Sequence, residues 1–141
     1  MGRSVTGMTT IEALADLTSF TDQYVAVWNQ PDRDVREATI RRLWADDAVE
    51  FLESKEYRGH DQLFARVAGA YEEFVGSGGM LFRSAGDVVG HHDLVVFTVT
   101  MGPADGGPDV WSGVVVAALG EDGRIRREHQ FANPPRPTVS H

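Results

Sequence analysis

The last predicted strand, residues 124–132, carries the side chains best suited to proton transfer. Alternate residues of a strand share one face, so His129 lies on the same face as Ile125 and Phe131. These two apolar side chains favour burial of that face, which would place His129 and Arg127 in a cavity. A neutral imidazole can take or give a proton near pH 7, so we predict acid–base catalysis by His129, with Arg127 beside it. The alternatives are a hydrogen-bonded core histidine, or a surface histidine if a bulge reverses the face.

Glu50 is a second candidate for acid–base chemistry, because it lies in an otherwise apolar run. On a buried face its pKa would be raised, since loss of solvent disfavours the charged form. It would then act as a base or as the partner of His129. The alternative is a solvent-facing glutamate with Val49 and Phe51 pointing inward, and the residue pattern favours this alternative.

Large aromatic side chains predict a binding pocket for a flat, apolar ligand. Tyr24, Trp28 and Trp111 combine an apolar ring with one polar group each, which suits a pocket wall. Phe97 and Val99, on a strongly apolar strand, are predicted to line the same pocket. Packing in the core is the alternative for all of these residues.

The sequence gives no sign of a metal or nucleotide site. Adjacent residues point to opposite sides of a strand, so His91 and His92 cannot readily bind one ion together, and an exposed turn suits them better. There is no His-Glu-x-x-His motif, so we predict no metal. The run Gly76-Ser77-Gly78-Gly79 lacks the lysine of a phosphate loop and follows a helix, so we expect no cofactor.

The composition is that of one globular domain. The chain has 141 residues, of which 42% are hydrophobic and 24% are charged, and its formal net charge is −8. A net negative charge disfavours nucleic acids and anionic membrane surfaces as partners, because both are negative. The absence of cysteine excludes disulfides and thiol nucleophiles. The first ten residues hold no apolar segment of a secretory signal, so we expect a cytoplasmic protein.

Hydrophobic periodicity predicts three helices followed by strands. Apolar residues recur at three- and four-residue steps before Gly79 and alternate after it. The predicted helices are residues 9–29, 34–45 and 61–75. The predicted strands are residues 48–53, 80–90, 94–101, 110–119 and 124–132. Helices followed by an antiparallel meander predict a single α+β domain, in which the helices cover one face of a curved sheet and leave a cavity beneath them.

Local signals set the limits of these elements. Pro31 disfavours helix in the residue before it and ends the first helix. Asp122-Gly123 is a typical hairpin turn between the last two strands. The domain is predicted to span residues 9–132, with residues 1–8 and the proline-rich residues 133–141 flexible.

The strand over residues 94–101 has one apolar face and one mixed face. The apolar face holds Val95, Phe97, Val99 and Met101, and the mixed face holds Leu94, Val96, Thr98 and Thr100. Val114, Val116 and Ala118 on the next strand extend the mixed face. A sheet with both faces partly apolar is typical of one that packs on another subunit, so we expect a homodimer through the sheet.

Four motifs in order resemble the nuclear transport factor 2-like superfamily, in particular its SnoaL-like branch. They are Tyr24-Val25-Ala26-Val27-Trp28-Asn29, Trp44-Ala45-Asp46-Asp47-Ala48-Val49-Glu50-Phe51, Tyr57-Arg58-Gly59 and Gly123-Arg124-Ile125. The resemblance covers residues 12 to 132. It implies a cone-shaped barrel of three helices on a curved, mostly antiparallel sheet, often dimeric, with a pocket open at the wide end.

The resemblance does not carry one activity, because the family includes isomerases, dehydratases, polyketide cyclases, epoxide hydrolases and binding modules. Leu52 occupies about the position where the ketosteroid isomerase-like members have their general-base aspartate. Gln130 occupies about the position of an aspartate in the SnoaL-like cyclases. We therefore predict a cofactor-independent isomerase, cyclase or dehydratase that acts on a small, largely apolar, cyclic or polyketide-like molecule. The alternative is a module of the same fold that binds a small molecule or forms a dimer without catalysis.

Overall fold

The structure is a computed structural model that describes residues 10–132, with side chains described from residue 13 onward. Three helices form one layer. They are α1 (Thr10–Asn29), α2 (Arg33–Leu43) and α3 (Gly59–Ala70), and a π-helical segment (Tyr71–Gly76) continues α3. Asp32 caps α2 by accepting a hydrogen bond of 3.0 Å from the backbone of Val35. Residues 1–8 and 133–141, which were predicted to be flexible, lie outside the described residues.

Seven strands form one curved sheet that does not close into a barrel. They are β1 (Trp44–Phe51), β2 (Glu56–Arg58), β3 (Met80–Ser84), β4 (Val89–His91), β5 (Leu94–Pro103), β6 (Trp111–Leu119) and β7 (Ile125–Ala132). The order across the sheet is β2-β1-β7-β6-β5-β3, and β4 also pairs with β5. The pairing of β1 with β7 is parallel, and all the others are antiparallel. The predicted α+β fold, three helices on a curved and mostly antiparallel sheet, is confirmed, and the sheet stays open where a cone-shaped barrel was expected.

The core lies between the helical layer and the concave face of the sheet. Its most deeply buried apolar side chains come from all three helices and from β1, β5, β6 and β7. They include Tyr24, Val27, Ile40, Leu63, Val67, Trp44, Phe97, Val115 and Ile125. Alternation is clean along β5, where Val95, Phe97 and Val99 are buried and the residues between them are partly exposed, as predicted.

The predicted limits differ from the structure at several elements, including β1, which starts at Trp44 and was predicted to start at residue 48. The predicted strand over residues 80–90 is two strands, because Gly86 adopts a φ of +77° that breaks the extended backbone. The second helix ends at Leu43, two residues early, because Trp44 already pairs with Ile125 of β7. None of the helices in the described part of the chain has the length and apolar character needed to cross a membrane.

A bulge in β7 decides which side chains face the core. Leu119 pairs with Ile125, but the neighbouring Ala118 pairs with Arg127, so Arg126 is an extra residue in β7. Ile125 and Glu128 are therefore both buried, three positions apart instead of two. The expected sharing of one face by Ile125 and His129 is wrong, because this extra residue reverses the face after Ile125.

Candidate functional site

A cavity of about 220 Å³ opens between the helical layer and the concave face of the sheet. Most of its wall is apolar. The apolar wall includes Trp28, Ala70, Phe74, Phe82, Met101 and Trp111. Polar side chains enter the wall at Tyr24, Arg66 and Gln130. The cavity is small compared with the roughly 300–1,000 Å³ of drug-sized sites, so it suits a small ligand.

Four of the five residues predicted to bind ligand line this cavity. They are Tyr24, Trp28, Val99 and Trp111. Phe97 does not line it, because its ring packs edge-on against Tyr24, with 5.0 Å between ring centroids, and against Phe20, at 6.2 Å. The placement predicted for Phe97 is therefore wrong, and its alternative, packing in the core, is what the structure has.

Glu128 is a fully buried carboxyl group held by two donors. The Tyr24 hydroxyl donates a hydrogen bond of 2.6 Å to its Oε2, and the Trp44 indole donates one of 2.7 Å to its Oε1. These donors come from α1 and from the start of β1. Tyr24 also lines the cavity, so it connects the Glu128 carboxyl group to the wall of the pocket.

Glu50 is the second fully buried carboxyl group, and it is paired in register with Glu128 across the parallel strands β1 and β7. Residues in register on paired strands point to the same face, here the core. The Arg66 Nε donates a hydrogen bond of 3.0 Å to its Oε1, while Oε2 has no hydrogen-bond partner among the described residues. The favoured alternative of a solvent-facing Glu50 is therefore wrong.

Arg66 enters the site from α3, one turn from the buried Leu63 and Ala70. Its guanidinium carbon lies 5.0 Å from the ring centroid of Trp28 and 5.5 Å from that of Tyr57, so two aromatic faces hold it. Its Nη2 donates a hydrogen bond of 3.4 Å to the Gln130 side-chain oxygen. Arg66 thus joins the buried carboxyl pair to the polar wall of the cavity.

Burial shifts the acid–base properties of the pair. Loss of solvent, together with the nearby Glu50 carboxylate, raises the pKa of Glu128 to about 8. Burial also raises the pKa of Glu50, although the Arg66 guanidinium opposes this shift. Burial and the two carboxyl groups raise the pKa of the Tyr24 hydroxyl well above its usual value. Near neutral pH Glu128 is therefore protonated and Tyr24 is neutral, while the ion pair with Arg66, at 3.0 Å, favours the charged form of Glu50.

His129 and Arg127 do not face the cavity, contrary to the prediction. The half-buried His129 ring stacks on Phe51, with 4.9 Å between ring centroids, on the outer face of the sheet. Arg127 is exposed on the same face. The predicted partnership of Glu50 with His129 is not formed, because the two side chains leave the sheet on opposite faces.

Arg66 and Glu128 are not among the site residues predicted from the sequence. Arg66 had a detectable signal, since it stands three residues after Leu63 and four before Ala70, on the buried side of the helix. Glu128 had none, because its burial depends on the bulge in β7. Leu52 and Gln130, at the two positions noted for departing from the family pattern, both line the cavity.

Solved structures of similar fold come from several bacteria. A candidate isomerase of the SnoaL-like family from Agrobacterium tumefaciens is 25% identical over 84% of this chain and 98% of its own, with a TM-score of 0.75. A candidate polyketide cyclase from Sinorhizobium meliloti is 17% identical over 83% of this chain and 97% of its own, with a TM-score of 0.62. A candidate hydroxylase from Streptomyces galilaeus is 20% identical over 85% of this chain and 76% of its own, with a TM-score of 0.61.

The last two structures show the shared fold alone, because identity is below 25%. No functionally curated protein matches the chain in sequence. The sequence pattern of the SnoaL-like domain, by contrast, matches residues 21–128, which include Tyr24, Glu50, Arg66 and Glu128. This span covers most of the chain and reaches from α1 to β7, so the chain belongs to the SnoaL-like domain family.

Proposed function

We propose that this protein binds a small, largely apolar molecule in the cavity and catalyses a proton transfer on it, as in an isomerisation, a cyclisation or a dehydration. The observation that carries the proposal is the buried Glu50–Glu128 pair, which holds one proton beside an apolar pocket. One of the similar structures, 25% identical and described as a candidate isomerase, supports this class of reaction.

The buried pair is costly for the fold, which favours a functional role. Taking a charged group out of water costs several kcal/mol unless it is well paired, and a hydrophobic replacement is often at least as stable. A titratable group buried in a cleft and shifted toward working pH is a candidate for catalysis. The pKa of Glu128, about 8, lies close to neutral pH, where a group both gives and takes protons efficiently.

Tyr24 is the group that can pass the proton between Glu128 and the pocket. In the acid step, Glu128 gives its proton to the Tyr24 oxygen while the Tyr24 hydroxyl proton moves to the bound molecule. The reverse transfer, from a second position of the molecule, restores both groups, so the net reaction is an isomerisation. The separation of 2.6 Å between the two oxygens allows either direction of donation. Arg66 keeps Glu50 ionised and so confines the mobile proton to Glu128.

The test is ligand binding followed by proton exchange with solvent. Trp28 and Trp111 line the cavity, so a bound molecule will change the tryptophan fluorescence. Ligands found in this way from a set of small cyclic carbonyl compounds are incubated with the protein in D₂O, and deuterium incorporation is followed by NMR. We expect the protein to catalyse incorporation, and Glu128→Gln to reduce the rate at least tenfold while retaining binding.

Binding without turnover is the second candidate function. It is favoured by the complete burial of both carboxyl groups, which leaves Tyr24 and Arg66 as their connections to the wall of the cavity. The same experiment separates the two functions. If ligands bind equally to the wild type and to Glu128→Gln, and neither protein incorporates deuterium, the protein is a binding module.

A further inference from the structure

The polar side chains in the cavity wall offer donors and almost no free acceptor. The Tyr24 hydroxyl is hydrogen-bonded to Glu128, at 2.6 Å, and belongs to the proton transfer proposed above, so it is not a free group for recognition of a ligand. The Gln130 side-chain oxygen accepts from Arg66 Nη2, which leaves the Gln130 amide NH₂ as a pair of donors with no partner among the described residues. Arg66 has donors only, and its Nη1 likewise has no partner among the described residues.

Donors without partners matter because they lie in a largely apolar cavity. A polar hydrogen that is removed from water and left unpaired costs about 1–3 kcal/mol. A bound ligand displaces water from the donors of Arg66 and Gln130, and the nearby Trp28 Nε1 is already buried without a partner among the described residues, so a ligand atom with lone pairs gains binding free energy at this end of the cavity. The one unpaired carboxyl oxygen, Oε2 of Glu50, belongs to a residue outside the cavity wall, so it offers no acceptor there.

The charge of the cluster restricts the kind of acceptor. With one proton on the carboxyl pair, the single negative charge on Glu50 balances the positive charge of Arg66, which is 3.0 Å from it. The site is therefore neutral before a ligand enters. A carboxylate ligand would add an uncompensated charge beside two buried carboxyl groups, at a large cost in the low-dielectric interior.

We infer that the cavity recognises a neutral carbonyl oxygen, as in a ketone, an ester or a lactone, through Arg66 Nη1 and the Gln130 amide, and that it discriminates against carboxylates. Gln130 is the residue that determines this specificity. The inference rests on the proposed function, because it takes the cavity to be the ligand site. It extends that function by assigning the ligand a polar group and an orientation, with its carbonyl at Arg66 and its apolar body against Trp28 and Trp111.

The test compares three ligands of nearly equal size by tryptophan fluorescence titration at pH 7.0. Acetophenone carries a neutral carbonyl, α-methylstyrene has a methylene group in place of that oxygen, and benzoate carries a carboxylate. The ratio of the acetophenone affinity to the α-methylstyrene affinity measures the contribution of the oxygen. In Gln130→Leu we expect this ratio to fall about tenfold, the usual effect of losing a hydrogen bond in a buried site. Gln62→Leu, the same change at an exposed position of α3 outside the cavity wall, should leave it unchanged.

A double variant tests the predicted discrimination against carboxylates. Wild-type protein should bind benzoate at least tenfold more weakly than acetophenone. In the double variant Glu50→Gln/Glu128→Gln the Arg66 charge is no longer balanced, so benzoate should bind at least as well as acetophenone. Circular dichroism confirms that the variants are folded, and Glu128→Gln alone, which leaves Glu50 ionised, serves as the control.

The results of these titrations distinguish a failure of the carbonyl inference from a failure of the proposed function. An affinity ratio that Gln130→Leu does not change, or benzoate that binds wild type as tightly as acetophenone, would overturn the inference and leave the apolar ligand site intact. Failure of all three ligands to bind folded wild-type protein would overturn the inference together with the proposed function. Deuterium exchange is independent of both results, so loss of turnover alone leaves the carbonyl specificity standing.

Discussion

At the scale of the residue, the site depends on a glutamate that faces the core while its neighbours in β7 face outward. Glu128 and His129 are adjacent in β7, yet Glu128 is fully buried against Tyr24 and His129 lies on the outer face. Chemical type alone favours the histidine as the acid–base group, since the ordinary pKa of an imidazole is near neutral. Burial reverses this preference, because it moves the pKa of Glu128 to about 8.

The raised pKa of Glu128 predicts a stability that falls as the pH rises. Between its ordinary value of 4.5 and about 8 the folded protein holds a proton that the unfolded chain has lost. The contribution is fully present below pH 4.5 and is lost as the pH passes 8. We expect the free energy of unfolding, measured by urea denaturation, to fall by roughly 1 kcal/mol per pH unit across this window because of Glu128.

The variant Glu128→Gln tests the assignment of this effect. Glutamine cannot titrate, so the decline between pH 5 and pH 8 should become distinctly shallower in this variant. Glu121→Gln, at an exposed turn, is the matched control and should follow the wild type. A Glu128→Gln protein with the full wild-type dependence would show that another group is responsible.

At the scale of the element, the bulge in β7 orients the site. One extra residue, Arg126, separates the buried Ile125 from the buried Glu128 and turns Glu128 and Gln130 toward the helices. A shift of one residue moves a whole strand segment to the other face, because side chains alternate. The site is therefore sensitive to the number of residues between Ile125 and Glu128.

This sensitivity predicts opposite results for two changes of equal size. Deletion of Arg126 leaves Ile125 and Glu128 separated by one residue, so regular alternation keeps both inward, and the protein should stay folded with its thermal midpoint within a few degrees. Insertion of a glycine between Arg127 and Glu128 instead places Glu128 four positions after Ile125, so regular alternation would shift Glu128 along β6, away from Ala117 and from its donors, and we expect cooperative unfolding to be abolished. Circular dichroism melts check both, and an inserted variant as stable as wild type would contradict the role of the bulge.

At the scale of the whole molecule, the outer face of the sheet carries a row of largely apolar side chains. Val96, Val116, His129 and Phe51 form a row across four neighbouring strands, each partly buried, and Phe131 lies exposed beside it. A contiguous apolar patch commonly marks an interface. We expect this face to pair with a second copy of the chain, as predicted from the alternation along β5.

Self-association through this face is measured by light scattering. Wild-type protein at micromolar concentration should have the mass of a dimer, about twice 15.5 kDa. Val116→Glu should give a monomer, since it places a charge in the centre of the row. Val35→Glu, at an exposed position on α2, should leave the dimer intact. A monomeric wild type would contradict the expectation.

The sequence was a good guide to the elements and a poor guide to the polar site. Tyr24, Trp28, Val99 and Trp111 were predicted to line a pocket and do, because large apolar side chains on amphipathic elements must face the interior. Of the predicted catalytic residues, Glu50 faces the interior and His129 and Arg127 face outward. The catalytic roles themselves stay predictions.

The sequence by itself determined the order of helices and strands, the fold class and the family, because hydrophobic period and turn signals act over a few neighbouring residues. Only the tertiary structure decided which ionisable groups meet. Glu50, Arg66 and Glu128 lie on β1, α3 and β7, and their contact depends on strand pairing and on one bulge. The bulge lies in the β6–β7 hairpin, and the distant strand β1 pairs in parallel with β7 and brings Glu50 beside Glu128; no local pattern in β7 records either feature.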